Sequence, residues 1–321
     1  MLQNEQLKIT LKRRAKLLAN VRRFFSVRNV LEVNTPILSS AAPTALYLDS
    51  FSTRFEAGSD SKVLYLHTSP EFAMKRLLAA GSGAIYQIAT VFRNGELGRQ
   101  HAPEFSMLEW YRPGFSLTEL MAEVDAFMQQ VIGLPAAVIF PYRDLFAKYL
   151  QLDICQADDN LLKQIALDRI AGLTADWQTD RDGWLEMLMS EVIEPQLKAL
   201  EMPVMVTEFP ASQAQLAKIE MNAEGHQVAS RFELYAGGME LANGYDELCD
   251  ATELRQRFEQ DNQLRLQQGK PQMPIDENLL TAMQSGLPQC SGVALGLDRL
   301  MMLHFAENNI SQVQGIAFIE S

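Results

Sequence analysis

Cysteine is scarce in this sequence. Three stand in 321 residues (Cys155, Cys249 and Cys290), an odd number with no CxxC pair. That spacing supports neither a disulfide framework nor a cysteine-based zinc site, so a reducing, cytoplasmic setting is expected. No apolar run is long enough to span a membrane. The opening MLQNEQLKITLKRRAK lacks the apolar core of a signal peptide. Positive charge is also short: 28 Lys and Arg against 40 Asp and Glu leave a net charge of −12. A large nucleic-acid footprint draws on a basic face and is not expected here. GxxxxGK[ST] is absent, and no GxGxxG lies between a strand and a helix, which excludes a P-loop and a dinucleotide-binding turn. There is no internal repeat and no low-complexity tract.

What is present suits a protein with a large core: 47% of residues are hydrophobic and 21% charged. The most informative stretch runs from Ala84 to Arg112. Two runs rich in β-branched and aromatic residues, Tyr86–Phe92 and Phe105–Tyr111, flank a polar segment, which predicts a hairpin with a long tip loop. Arg93 sits where the first strand enters that loop, a position from which a fixed guanidinium fork can address a phosphate.

Other segments frame it. Leu7, Leu11, Leu18 and Phe25 recur at helical spacing, predicting one long helix over about 5–28, with Asn34-Thr35-Pro36 beyond it. Leu64–His67 reads as a short strand. Ser69 reads as the N-cap of the helix that follows, with Pro70 at its first position and Glu71 in the first turn. Helices are expected over most of 116–200, including Leu117–Val131, Asn160–Ala171 and Trp184–Leu200 with an interruption at Pro195. Pro203–Phe209 reads as a buried strand.

In RFELYAGGMELANGYDEL (231–248), Gly237-Gly238 predicts a two-residue hairpin turn. Tyr235 then faces Glu240 and Glu233 faces Ala242. This puts Glu233 and Glu240 on one face as diagonal neighbours roughly 7–8 Å apart. Two like charges there call for a shared cation, and a magnesium ion carrying nucleotide phosphates satisfies that need. Asn243-Gly244 reads as a turn or bulge. In CSGVALGLDRLMMLHF (290–305), Gly292 and Gly296 frame a strand and a helix starts near Leu297-Asp298. Arg299 opposes the dipole of that helix by about 0.3–1 kcal/mol, which an anion or aromatic ring docked on it would relieve.

Together these segments resemble the three signature motifs of class II aminoacyl-tRNA synthetases. Asn34-Thr35-Pro36 after the long helix is similar to motif 1, Phe92-Arg93-Asn94 to motif 2, and Gly296-Leu297-Asp298-Arg299 to motif 3. His101, Pro103-Glu104-Phe105, Met107, Glu109, Asn243-Gly244 and Glu247 match the lysyl-tRNA synthetase pattern. The resemblance implies an α+β fold, an antiparallel sheet flanked by helices, working as a homodimer through motif 1. Because motif 1 begins at the start of the chain, one catalytic domain is expected over 1–321, with a helical insertion at about 142–200 and no anticodon-binding domain. That matches stand-alone lysyl-tRNA synthetase paralogues. Their members activate (R)-β-lysine and acylate a lysine of elongation factor P, so tRNA is not the expected partner.

The roles implied by the resemblance are specific. Arg93 would hold the α-phosphate of ATP and His101 its outer phosphates, while Phe105 and Arg299 would sandwich adenine. Asn94, Gly95, Ala102, Leu241 and Gly296 would complete the nucleotide site. Glu233 and Glu240 would hold magnesium–ATP, with no organic prosthetic group. Ser69, Glu71, Glu109, Tyr111 and Asn243 would line the amino-acid pocket, with Glu247 at the side-chain ammonium and Ala294 under the amino-acid backbone. Two positions depart from the family pattern. Gly95 replaces the glutamate of Arg-Asn-Glu, with Glu96 next, and Ala102 replaces an asparagine, so side-chain contacts to nucleotide are lost there. The alternatives are a truncated lysyl-tRNA synthetase acting on tRNA and a non-catalytic synthetase-like regulator. The retained Arg93, Glu233, Glu240 and Arg299 argue against the regulator.

Overall fold

Two sheets organise the computed structural model, which describes residues 2–316. In chain order the elements begin with α1 (Leu2–Ser26), β1 (Leu31–Glu32), β2 (Leu38–Ser39), β3 (Ser52–Ala57), β4 (Asp60–Leu66) and α2 (Glu71–Ala79). There follow β5 (Ile85–Phe92), β6 (Glu104–Pro113), α3 (Leu117–Ile132), β7 (Val138–Pro141), α4 (Tyr142–Leu150), α5 (Asp159–Arg169), α6 (Arg181–Leu188) and α7 (Glu194–Lys198). The chain continues through β8 (Val204–Pro210), β9 (Ile219–Met221), β10 (Gln227–Ala236), β11 (Met239–Asp246), α8 (Ala251–Gln267), α9 (Glu277–Gly286), β12 (Cys290–Gly296) and α10 (Leu297–Phe305).

The main sheet has the order β1-β5-β6-β12-β11-β10-β8-β7, with β9 paired to β10. Its central strands are antiparallel, and the edge pairs β1–β5 and β7–β8 are parallel. A small sheet, β2-β4-β3, stands apart, and its strand β3 had no counterpart in the sequence reading. The α+β class is as expected.

One face of the main sheet packs on α1, α3 and α10. Leu108, Trp110, Leu234, Val293 and Leu295 from the strands meet Leu17, Val21, Phe25, Phe127 and Met301 from the helices. Each such side chain contributes about 1.5–3 kcal/mol by burial. Leu17, Val21, Phe24 and Phe25 are the buried stripe of α1, whereas Leu7 and Leu11 of the expected stripe are exposed. The opposite face carries the polar rows described below and is closed at one end by α2, α8 and α9.

Helices α4–α7 make their own apolar cluster against β8. The interruption near Pro195 takes the form of a π-helical turn, Met189–Ile193. A proline in the second position of α7 has no N–H to donate and crowds the preceding turn, and widening that turn relieves both.

Candidate active site

Strand register places the chemistry. Side chains on alternate residues share a face, so Phe105, Met107, Glu109 and Tyr111 of β6 point away from the Trp110 core. Pairing across the sheet sets Gln87, Glu109, Ala294, Asn243 and Glu233 in one row over five strands. The neighbouring row reads Ile85, Tyr111, Gly292, Tyr245 and Arg231.

The β10–β11 hairpin turns through Gly237 and Gly238, both at positive φ (62° and 79°), as a two-residue primed turn requires. Tyr235 faces Glu240 as expected, but Glu233 faces Asn243 and not Ala242. A bulge at Leu241 is responsible. Leu241 and Ala242 both turn into the core, so the polar face resumes at Asn243. Asn243-Gly244 is therefore continuous strand, and the extra residue lies two positions earlier than the sequence suggested. Gly244 leaves room for the ring of Phe232.

At one end of the rows lies a buried acidic pocket. The hydroxyls of Ser69 and Tyr111 donate to Glu109 at 2.5 and 3.2 Å. Burial, and next the charge of Glu71, push the Glu109 carboxyl up to about 8 against those two donors. Lys75 of α2, absent from the sequence reading, lies 2.6 Å from Glu71 and 2.6 Å from Glu247. Burial opposes its charge, but Glu247 and Glu71 outweigh that and raise its pKa. Burial raises the Glu247 carboxyl, and Lys75 opposes the shift. Gly292 is the clearance that admits both walls. A Cβ there would stand 2.3 Å from the Tyr111 ring and 2.6 Å from Glu247 Oε1. Ser69 accepts from the Glu71 N–H at 3.0 Å, but α2 starts one residue later than expected and Pro70 occupies the cap position. The Oδ1 of Asn243 is buried without a partner among the described residues, an acceptor aimed at the same face.

At the other end lie the phosphate candidates. The Arg93 guanidinium lies 5.2 Å from the centre of the Phe105 ring and 3.6 Å from Glu96, and its Nε is buried and unpaired among the described residues. Asn94 donates its backbone N–H to Asp49, anchoring the loop base. Gly95 adopts φ +88°, which explains glycine in place of the family's glutamate: a side chain there would be strained. Arg299 Nη2 lies 2.6 Å from His101 Nε2, and Arg299 also donates to the backbone carbonyls of Glu240 and Gln100. Burial, then Arg299, lower the His101 pKa. Asp298 at the start of α10 pairs with Arg14 at 2.5 Å, not with Arg299. Ala102 and Leu241 point their side chains into the core, so only their backbone faces outward. Gly296 ends β12 opposite Met107.

Between the two ends stand the paired carboxylates. Glu233 accepts from Arg231 and from the Tyr235 hydroxyl, and burial pushes its carboxyl up to about 7. Glu240 is 40% exposed and 4.0 Å from Arg299. Glu194, also missed in the sequence, is raised to about 8 by burial, then by Glu240 and Glu233. Among the described residues no three metal-binding side chains converge. Magnesium needs only one or two carboxylates when phosphate oxygens complete its shell. The donor set fits that case, with Glu240 open and Glu233 engaged on both oxygens behind it. Arg231 and Tyr235, two residues to either side of Glu233, were legible from strand alternation. Lys75 was legible as an i,i+4 partner of Glu71.

Comparison with known proteins gives the family. The family described as tRNA synthetases class II (D, K and N) matches residues 1–318. A curated relative, the elongation factor P–(R)-β-lysine ligase of Proteus mirabilis (strain HI4320), is 49% identical over 308 residues. The match covers 95% of this chain and 93% of that protein.

Proposed function

The chain belongs to the class II tRNA synthetases of the D, K and N family, and we propose that it is an ATP-dependent ligase that joins (R)-β-lysine to a lysine of elongation factor P. The single observation that carries this reading is the match to a ligase of that name over 93% of its length. The acidic pocket supports it from the chemistry. Buried carboxylates at Glu109 and Glu247, with Glu71 beside them, suit a substrate that carries two ammonium groups and no other charge on its side chain.

Two steps follow. The substrate carboxylate attacks the α-phosphorus of ATP in line, forming an acyl-adenylate and expelling pyrophosphate. The ε-amine of the acceptor lysine then attacks the acyl carbon, an amide forms and AMP departs. No enzyme nucleophile is required, so the work is positioning and charge neutralisation. Arg93 meets the α-phosphate by leaving the Phe105 ring, on which adenine then stacks. Arg299 gives up His101 and covers the other face of adenine, freeing His101 for the outer phosphates. Asn243, Ser69, Glu71, Glu109, Tyr111 and Glu247 hold the amino acid. Magnesium held by Glu240, with Glu233 behind it, would neutralise the outer phosphates.

Ala294 lies between Glu109 and Asn243 in the cross-sheet row. Lysyl-tRNA synthetases resemble this chain but carry glycine there, so the added methyl crowds an α-amino group and favours the β-isomer. The exposed Leu7 and Leu11 of α1 suit a homodimer interface, and the reaction belongs in the cytoplasm. No helix among the described residues is long and apolar enough to cross a membrane. The test is ATP–pyrophosphate exchange over a panel of amino acids, followed by transfer to elongation factor P or to tRNA. Exchange with lysine-type amino acids and labelling of the protein acceptor are expected. Labelling of tRNA alone would favour a truncated synthetase.

A further inference from the structure

Lys75 is a buried cation for which the reaction above has no use. Its side chain is 1% exposed, and its ammonium lies 2.6 Å from a Glu71 oxygen on its own helix and 2.6 Å from a Glu247 oxygen beyond β11. The two carboxylate oxygens therefore stand no more than about 5 Å apart, a separation at which two unscreened buried anions repel strongly. Glu71 is 15% exposed and Glu247 1%, so solvent cannot supply the counter-charge. The structure thus spends a lysine to hold two substrate-facing carboxylates together.

We propose that Lys75 is a positioning residue that sets the charge count of the amino-acid pocket: it takes one oxygen from each of Glu71 and Glu247, leaves the other oxygens for substrate, and fixes the pocket at a net −2 that two ammonium groups neutralise. The count is that of the substrate-bound pocket: three ionised carboxylates, Glu71, Glu109 (which gives up its proton as substrate enters) and Glu247, and one ammonium. A substrate with one ammonium leaves an uncompensated buried anion, which is costly, and one with two leaves none. The substrate's own carboxylate lies at the Arg93 end and does not enter the count. The titratable groups around this centre are Glu71 from α2, Glu109 and Tyr111 from β6, Tyr245 from β11, Glu247 and Cys249 after it, and Cys290 from β12, while Asp246 is engaged by Lys218 at 3.0 Å. The inference rests on the lysine-type substrate proposed above.

The test compares wild type, Lys75→Met and the charge-balanced double variant Lys75→Met/Glu247→Gln by pyrophosphate exchange with lysine and β-lysine between pH 6 and 9, with thermal melting as a fold check. Without Lys75, Glu71 and Glu247 share a proton that the incoming ammonium must displace, in addition to the proton on Glu109. Lys75→Met should raise KM for the amino acid at least tenfold at pH 7 while kcat stays within about threefold. The slope of log KM against pH should steepen from about one proton to about two, and the double variant should return it to about one. A merely structural lysine predicts a fall in melting temperature with an unchanged slope in the single variant, and no recovery in the double, and either result overturns the proposal. Should Lys75→Met fail to fold, a folded double variant with the wild-type slope supports the charge count and one with a steeper slope refutes it. Failure of wild type to activate any lysine-type amino acid would sink the functional reading itself, a separable outcome.

Discussion

Gly292 is the narrowest point of the amino-acid pocket, and Gly292→Ala is the sharpest test of its construction. The new methyl would stand 2.3 Å from two carbons of the Tyr111 ring and 2.6 Å from Glu247 Oε1, about 1 Å inside ordinary contact. Neither neighbour has room to retreat. Tyr111 is 3% exposed and tied by its hydroxyl to Glu109, and Glu247 is 1% exposed against Lys75. Overpacking of this kind costs about 1–3 kcal/mol. In a chain of this size that corresponds to a melting temperature lower by about 2–5 °C. The functional loss should be larger than the stability loss, because a shift of about 1 Å in positioning groups costs about 100-fold. Calorimetry and pyrophosphate exchange measure the two effects. Gly98→Ala serves as the stability control, since its nearest neighbour would be His101 Nδ1 at 3.9 Å. A Gly292→Ala protein with unchanged melting temperature and unchanged KM would refute the packing of Tyr111 and Glu247 over this glycine.

Three further outcomes are expected. Arg93→Ala or Glu240→Gln should abolish pyrophosphate exchange while circular dichroism and melting stay as in wild type; wild-type exchange in either would remove that residue from the phosphate site. Because burial raises Glu109 to about 8 in the free pocket, it is protonated at neutral pH and must ionise to hold an ammonium. KM for the amino acid should therefore fall by up to about tenfold per unit as pH rises from 6 to 8 and level off above, and Glu109→Gln should flatten that dependence while raising KM throughout. Ala294→Gly should narrow the preference for (R)-β-lysine over α-lysine by improving α-lysine activation, from a wild-type discrimination of about 10–200-fold; equal use of both by wild type would end the selector role of that methyl.

Much of the frame was legible in the sequence because it rests on local rules. The Phe92–Phe105 hairpin, the Gly237-Gly238 turn and the Gly292–Arg299 strand-to-helix junction follow from alternation and glycine placement, and they bring Arg93, Glu233, Glu240 and Arg299 to one sheet face. Three features resisted. The bulge at Leu241 depends on which side chains the core can take, and alternation alone put Ala242 where Asn243 belongs. The spacing in EFAMK offers Glu71 as a helical partner of Lys75, but the second partner, Glu247, is distant in sequence, so the burial of Lys75 between two carboxylates was not legible. Glu194 feels the charges of Glu240 and Glu233 across the fold, and it directly follows a π-helical turn that the sequence pattern did not specify.

The most direct measurement of the central claim is the intact mass of elongation factor P after incubation with this protein, magnesium, ATP and (R)-β-lysine. A mass increase equal to one β-lysyl group, dependent on both ATP and the amino acid and lost with Arg93→Ala, is the result expected. An unchanged acceptor mass under conditions where the enzyme still exchanges pyrophosphate, with label passing instead to tRNA, would contradict it.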